Sequence, residues 1–287
     1  MTIQNAREQA LSLLERLRDR GHQLPVPTGL NALDDILAGG LRSGQLMTCG
    51  GQPGSGKTSF GLQTSLGFGR RGVPAVYLTA EMTADDLLAK VLASEIARPA
   101  AAILDGDPHA LADAFEALDH LPLEMLYFER APRGSNGFVP GTKRLVTDVS
   151  DRHGLAPFLV FDYLQKLDAG HAGPKDDERM RVSRSSAGVA ELTRELGTTT
   201  FVISSINRIG YRSEPSLDVF KETGSIEFDS DIAMLLRWPE KKPDETPPAD
   251  LIELWVLKNR YGRVPPGPIQ LIFDGRLGSF RSPRGTR

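Results

Sequence analysis

The sequence predicts an α/β fold, a mostly parallel central sheet with helices on both faces, preceded by an amphipathic helix. Three observations lead there. Short continuous apolar runs alternate with helical periodicities through the middle of the chain, the pattern of strands buried on both faces and joined by crossover helices. A glycine-rich stretch, Gly51 to Thr58, lies between one such run and a helix. The 287 residues, 40% of them apolar, suffice for a large core. A formal net charge of −3 argues against a protein that coats nucleic acid by bulk charge, but it leaves room for a local basic groove.

Apolar residues at Ile3, Ala6, Ala10, Leu13, Leu14 and Leu17 recur at helical spacing, so Ile3 to Arg20 is predicted as an amphipathic helix that Gly21 ends. Pro25 and Pro27 then make Gly21 to Pro27 an extended linker. The stripe of so detached a helix must be buried either on its own domain or on a neighbouring subunit. Gln45 to Gly50 reads as a strand, Lys57 to Gly69 as a helix and Ala75 to Thr79 as a second strand. A helix from Ala84 to Arg98 follows, with Thr83 as N-cap and Asp85 and Asp86 in the first turn, where carboxylates suit the helix dipole. Next come a helix His109 to Asp119, a strand Leu123 to Phe128 and a helix Thr142 to His153. The apolar run Phe158 to Phe161 ends in Asp162, and a helix Glu178 to Leu196 leads to a strand Thr200 to Ser204. Strands Ile232 to Leu236, Leu251 to Lys258 and Ile269 to Phe273 complete the sheet. Gly, Pro and charge mark 168–177, 210–216 and 239–250 as surface loops. The single cysteine, Cys49, sits in an apolar run and reads as a small buried hydrophobe. The polar amino terminus is unlike a signal peptide, and no apolar run approaches the ~20 residues that span a bilayer, so the expected location is cytoplasmic, with no membrane partner.

Gly51-Gln52-Pro53-Gly54-Ser55-Gly56-Lys57-Thr58 fits the phosphate-loop pattern G-x-x-x-x-G-K-T in its required strand-to-helix setting, with Ser59 next in the helix. Glycines let successive backbone N–H groups curl round an oxyanion at the positive end of a helix, Lys57 reaches the outer phosphates, and the Thr58 hydroxyl is placed to ligate Mg²⁺. Such a site needs a second carboxylate on the metal side. Asp162, at the end of an apolar strand, fits; the alternative is a turn or capping residue. Glu81 directly follows the strand ending in Thr79 and Ala80 and is the candidate general base for water; the alternative is a solvated loop acid.

Pro27 to Asp34, the phosphate loop, Thr79-Ala80-Glu81-Met82, Phe161-Asp162-Tyr163-Leu164-Gln165, Ser204 to Arg208, Gly224 to Asp231 and Lys258-Asn259-Arg260-Tyr261-Gly262 occur in one order. In that order the chain resembles the RecA-like motor domain of DnaB-type bacterial replicative DNA helicases. The resemblance implies a RecA-like P-loop ATPase that uses ATP and Mg²⁺, assembles into a homo-oligomeric ring, usually a hexamer, and translocates on single-stranded DNA. It implies that Gln165 lies near the nucleotide and that Lys258 and Arg260 enter the neighbour's site, Arg260 as arginine finger; the alternative is two solvated cations. Arg208, Arg212, Lys221 and the Gly224 region match the part that faces DNA, although Arg212 and Lys221 read almost as well as solvated loop charges. The first helix corresponds to one that packs on the adjacent protomer. Ser205 stands where the family has a glutamine that senses the γ-phosphate, and a serine is too short to reach the same point without a water. The expected organisation is a linker helix over 1–22, an ATPase motor over 23–280 and a basic tail over 281–287. The family's primase-recruiting collar domain is not in this sequence, so that part is expected to be supplied by another protein or to be dispensable, and a helicase loader or primase is the expected further partner. Two rival functions stay open, a recombination or regulatory ATPase of the same fold and a nonmotor, nucleotide-dependent replication adaptor.

Overall fold

The computed structural model describes residues 5–18, 24–133, 136–168, 170, 177–207, 214–223, 225–240 and 248–283. Within these, α1 (Ala6–Arg18) precedes α2 (Asn31–Ile36), and β1 (Leu46–Gly51) runs through the phosphate loop into α3 (Lys57–Gly69). Then follow β2 (Ala75–Thr79), α4 (Ala84–Ile96), α5 (Ala100–Leu104), α6 (Pro108–Leu118), β3 (Leu126–Arg130), α7 (Val139–His153) and β4 (Phe158–Asp162). The remainder is α8 (Glu178–Leu196), β5 (Thr199–Ser204), α9 (Ser225–Asp229), β6 (Ile232–Arg237), β7 (Leu251–Asn259), β8 (Ile269–Asp274) and β9 (Ser279–Arg281).

The described strands form one nine-stranded sheet in the order β3-β2-β4-β5-β1-β6-β7-β8-β9. From β3 across to β6 all pairs are parallel. Strands β7 to β9 are antiparallel, as expected where no described helix separates consecutive strands and hairpins suffice. The strand pleat sends alternate residues to opposite faces. Phe158 and Val160 of β4 accordingly join a core with Phe60, Phe68 and Phe201 on the α3 side, whereas Leu159 and Phe161 join Phe138, Val146 and Val189 on the α7 and α8 side. Phe68 stacks on Phe158 with ring centroids 4.2 Å apart, fixing α3 on the sheet.

Most predicted elements appear within a residue or two of their expected ends. The Leu123 strand begins later, because Met125 N–H closes a 3₁₀ turn on the Pro122 carbonyl at 3.0 Å and β3 starts only at Leu126. Helix α2 was not foreseen; its buried Asp34 accepts hydrogen bonds from the Thr28 amide (2.6 Å) and hydroxyl (2.7 Å) and so organises the turn that precedes it. The capping box at α4 is formed, with Thr83 Oγ1 accepting from Asp86 N–H at 3.1 Å and the Asp86 carboxylate accepting from Thr83 N–H, also at 3.1 Å. Much of the three predicted surface loops, namely 169, 171–176, 210–213 and 241–247, falls outside the described residues, as do Ile3 and 284–287 of the expected tail.

Candidate nucleotide site and a remote basic pair

The phosphate loop leaves the carboxyl end of β1 in the middle of the sheet, the end at which open α/β sheets bind ligands. Gly56, the residue before α3, has φ +85°, and a Cβ there would lie 2.6 Å from the Phe280 ring, so glycine is required on both counts. At Gly51 a Cβ would meet Ser55 Oγ at 2.5 Å, which keeps the inside of the loop narrow. The first N–H groups of a helix have no intrahelical acceptor; in α3 the first amide to bond a loop carbonyl is Phe60, on Gly56 at 2.8 Å. Lys57 Nζ folds back over the loop and donates to the carbonyls of Gly51 and Gln52, both at 2.8 Å. Ser55 Oγ is buried inside the loop with no hydrogen-bond partner. Gly54 takes φ +78°, and Pro53 and Gly54 form the outer turn; Ser59 is buried on the first turn of α3. These residues fit a bound polyphosphate, since they offer unpaired amides, an orphaned hydroxyl and a cation whose present acceptors are only carbonyls.

Asp162, at the end of β4, accepts from the Thr58 hydroxyl and the Tyr77 hydroxyl, each at 2.7 Å to Oδ2. Burial raises its carboxyl above the ordinary range, against the pull of those two hydroxyls and of the Lys57 ammonium. The same burial lowers the Lys57 ammonium, opposed by Cys49 and Asp162. Among the described residues no group of three or more His, Cys, Asp or Glu gathers to hold a metal. A Mg²⁺ ion needs no such cage, because it commonly takes one carboxylate, the substrate phosphates and waters; Thr58 and Asp162, already in contact, fit that requirement. Tyr77 was not singled out from the sequence, because in an apolar strand no periodicity distinguishes a hydroxyl that serves Asp162 from one that merely packs.

Glu81 lies just past β2. Thr79 is level with Asp162 on the neighbouring strand, and the Thr79 hydroxyl accepts from the Glu81 amide at 3.2 Å. Its exposed carboxylate comes within 4.0 Å of Lys166 Nζ. The phenol of Tyr163 is held above its usual value, by burial first and then by the Glu81 carboxylate to which it hydrogen-bonds. The Asp162–Tyr163 peptide is cis. Gln165, in a 3₁₀ turn Leu164–Lys166, donates through Nε2 to Ser204 Oγ at 2.9 Å and accepts from the Ser205 amide at 3.1 Å. It therefore ties the end of β4 to the end of β5. Ser205 engages Gln165 through its backbone, and its residue is exposed.

The basic pair stands elsewhere. Arg260 Nη1 pairs with Asp231 Oδ1 at 3.0 Å and Nη2 donates to the Phe228 carbonyl at 2.7 Å; Lys258 Nζ donates to the Glu227 carbonyl at 2.5 Å. Burial lowers the Lys258 ammonium, and Arg260 beside it adds to the effect. Asp231 in turn accepts from the amide of Leu46, the first residue of β1, at 2.9 Å. The phosphate loop leaves the other end of that strand after Gly51, five residues on, or about 16 Å at roughly 3.3 Å per residue. Lys258 and Arg260 therefore face away from the phosphate loop of their own chain. Asp231 was quoted as part of a motif but not given this anchoring role. Arg208, Arg212 and Gly224 lie outside the described residues, and so does the side chain of Lys221, which follows Phe220 in a 3₁₀ segment. The side chains of Leu13 and Leu17 are likewise outside the description, whereas Leu11 and Leu14 of α1 are 53% and 62% exposed.

Comparison with known proteins gives a consistent picture. The family described as DnaB-like helicase C terminal domain matches residues 25–282. The replicative DNA helicase DnaB of Leifsonia xyli is 26% identical over 91% of this chain, and the replicative DNA helicase DnaC of Bacillus subtilis is 27% identical over 97%. The chain spans 56% and 61% of the length of those two relatives. Among solved structures, the ATPase domain of G40P superposes with a TM-score of 0.83 at 20% identity, covering 99% of this chain and all of that one. A DnaB-like replicative helicase described with its interactions with primase superposes at 0.81 and 20% identity over 98% of this chain and 69% of its own. These structural likenesses establish the fold.

Proposed function

The chain belongs to the DnaB-like helicase C-terminal domain family, and from that premise we propose that it is an ATP-hydrolysing motor that works as a ring on single-stranded DNA and thereby separates duplex strands. The observation that carries the reading is the position of Lys258 and Arg260, some five β residues from their own phosphate loop. A cationic pair so placed can serve a phosphoryl group only on another subunit. ATP then lies between protomers, with the loop of one and the finger of the next around it. The same arrangement couples hydrolysis to the relative position of subunits.

Within a protomer, the backbone N–H groups at the start of α3, from Gly56 to Thr58, and the Lys57 ammonium bind the β and γ oxygens. Thr58 and Asp162 are the residues that would hold Mg²⁺, which would supply positive charge against the phosphates. Glu81 accepts a proton from the attacking water, and the products are ADP and phosphate. Arg260 of the next protomer stabilises charge on the transferred phosphoryl. Gln165, bonded to both Ser204 and Ser205, transmits the state of the nucleotide toward the segment that carries Arg208, Arg212, Lys221 and Gly224, the candidate contacts to DNA phosphates. The exposed leucines of α1 support docking of that helix on the adjacent protomer. The organisation proposed is thus a linker helix over 1–22 for subunit contact, a motor over 23–280 and a basic tail over 281–287, acting in the cytoplasm with a loader or primase as further partner. Among the described residues no helix is long and apolar enough to cross a membrane.

DNA-stimulated ATP hydrolysis and strand separation test the reading. Wild type should show both and Lys57→Ala neither; an intact wild type without either would overturn it. One observation favours a second reading. Ser205 meets Gln165 only through its backbone amide, a thin link between hydrolysis and DNA, and this suits a nucleotide-dependent adaptor. Slow turnover unaffected by DNA, together with ATP-dependent partner binding, would support that alternative.

A further inference from the structure

A polar cavity of about 370 Å³ opens between the Tyr163–Leu167 segment and the first turns of α8, beside the nucleotide site. Lys166 and Arg181 bring two cations to its wall and Glu178 one carboxylate. Ser185 lines it as well; this residue is 1% exposed, and its hydroxyl has no hydrogen-bond partner. A buried hydroxyl left unpaired is costly unless a ligand or a water meets it. Helix α8 begins at Glu178, so the positive end of its dipole also falls at this wall. Among the described residues Lys166 has one ion-pair partner, Glu81 at 4.0 Å, and the two side chains are 53% and 56% exposed. Ion pairs exposed to that degree hold loosely and exchange for a competing anion. Lys166 thus stands between two anion positions, the Glu81 carboxylate and the cavity.

We propose that Lys166 is a positioning residue, which restrains Glu81 until a backbone phosphate of single-stranded nucleic acid enters this cavity and takes Lys166 as its counter-ion. The inference rests on the reading of Glu81 as the base that takes a proton from water. A carboxylate held against an ammonium is turned from the water it would serve. A phosphodiester, with Arg181 and the Ser185 hydroxyl as further donors, competes for that ammonium, and the released Glu81 accepts the proton; the phosphodiester itself stays intact. The location favours a polymer over a free anion. Gln165, next to Lys166, is bonded to Ser204 and Ser205, from which the chain runs on toward the candidate DNA contacts.

The test is ATP turnover of the full chain with and without oligo-dT, for wild type, Lys166→Gln, Lys166→Arg and Arg181→Gln, with urea unfolding midpoints confirming that each is folded. Lys166→Gln should raise DNA-free turnover several-fold and bring the stimulation ratio toward one, and Lys166→Arg should keep the wild-type ratio. Arg181→Gln should raise the oligo-dT concentration for half-stimulation and lower its log–log salt slope by about 0.7. A merely structural lysine would not raise the DNA-free rate. Equal stimulation of Lys166→Gln and a stimulated wild type overturns this inference and leaves the motor reading standing. A wild type whose turnover ignores oligo-dT overturns both. Stimulation by inorganic phosphate alone overturns the assignment of the cavity to a nucleic acid.

Discussion

Substituting Lys57 and substituting Glu81 should separate binding from chemistry. Lys57→Ala removes the half-buried ammonium that lies over the phosphate loop, so nucleotide affinity should fall by about 10²-fold or more, read by titration with a fluorescent ATP analogue. Glu81→Gln keeps the loop, the cation and Asp162. Nucleotide affinity should stay near wild type while turnover falls by about 10²–10⁴-fold, measured as phosphate release. Comparable loss of binding in both variants would remove Glu81 from the role of base. Cys49 gives a prediction of another kind. Its thiol is fully buried behind the phosphate loop and pushed up to about 12 by desolvation, from an ordinary 9.0. The folded protein should resist alkylation at pH 8 and label only on unfolding. Because the folded thiol holds its proton more tightly than the unfolded one, the stability it contributes is present below pH 9 and is lost as pH rises toward 12. At this scale the sequence pattern carried Lys57, Thr58 and Asp162, since loop spacing and strand ends are local. It could not carry the Tyr77 hydroxyl on Asp162 or the Asp231 clamp on Arg260, which join residues far apart in the chain.

Elements place those residues, and the carboxy-terminal hairpin does so at a distance. Phe280 of β9 stacks on Phe273 of β8 with centroids 4.5 Å apart and meets Phe60 of α3 edge-on at 5.9 Å. Gln63 of α3 pairs with the backbone of Phe280 in both directions, accepting from its amide at 2.8 Å and donating to its carbonyl at 3.2 Å. This hairpin therefore holds the helix that begins in the phosphate loop, directly beneath Gly56. Phe280→Ala should cost about 3–5 kcal/mol in urea denaturation and weaken nucleotide binding as α3 loosens. A change below about 1 kcal/mol would show that the hairpin does not brace the site. The central strands were readable from the sequence because burial on both faces demands continuous apolar runs. The three residues of β9, the five of α9 and the six of α2 were not, because segments so short have no period; tertiary bonds such as Gln63 to Phe280 and Asp34 to Thr28 define them.

For the whole molecule, the sheet topology sets the separation between the phosphate loop and the basic pair. Antiparallel pairing of β6 with β7 sets Asn259 opposite Ile232, and parallel pairing of β6 with β1 sets Ile232 opposite Met47, so the basic pair lands at the entrance of the strand whose exit is the phosphate loop. No local pattern contains that separation; it emerges only once register is known. Apolar residues on α1, at Leu11 and Leu14, and beside the basic pair, at Phe228 and Tyr261, are exposed, and in the proposed ring a neighbouring copy would cover them. Removing residues 1–22 should therefore shift the assembly toward monomers at a concentration where the full chain forms rings, seen by sedimentation velocity; an unchanged distribution would place the helix on its own subunit. Arg260→Ala should lower turnover by about 10³–10⁵-fold with nucleotide binding retained. The most direct test mixes the two inactive variants. In a ring of Lys57→Ala and Arg260→Ala subunits, an intact phosphate loop from one meets an intact finger from the other at about a quarter of randomly formed interfaces. The mixture should regain ATP hydrolysis that neither variant shows alone; a mixture as inactive as its components, under conditions where mixed rings are seen to form, would contradict a site completed between subunits.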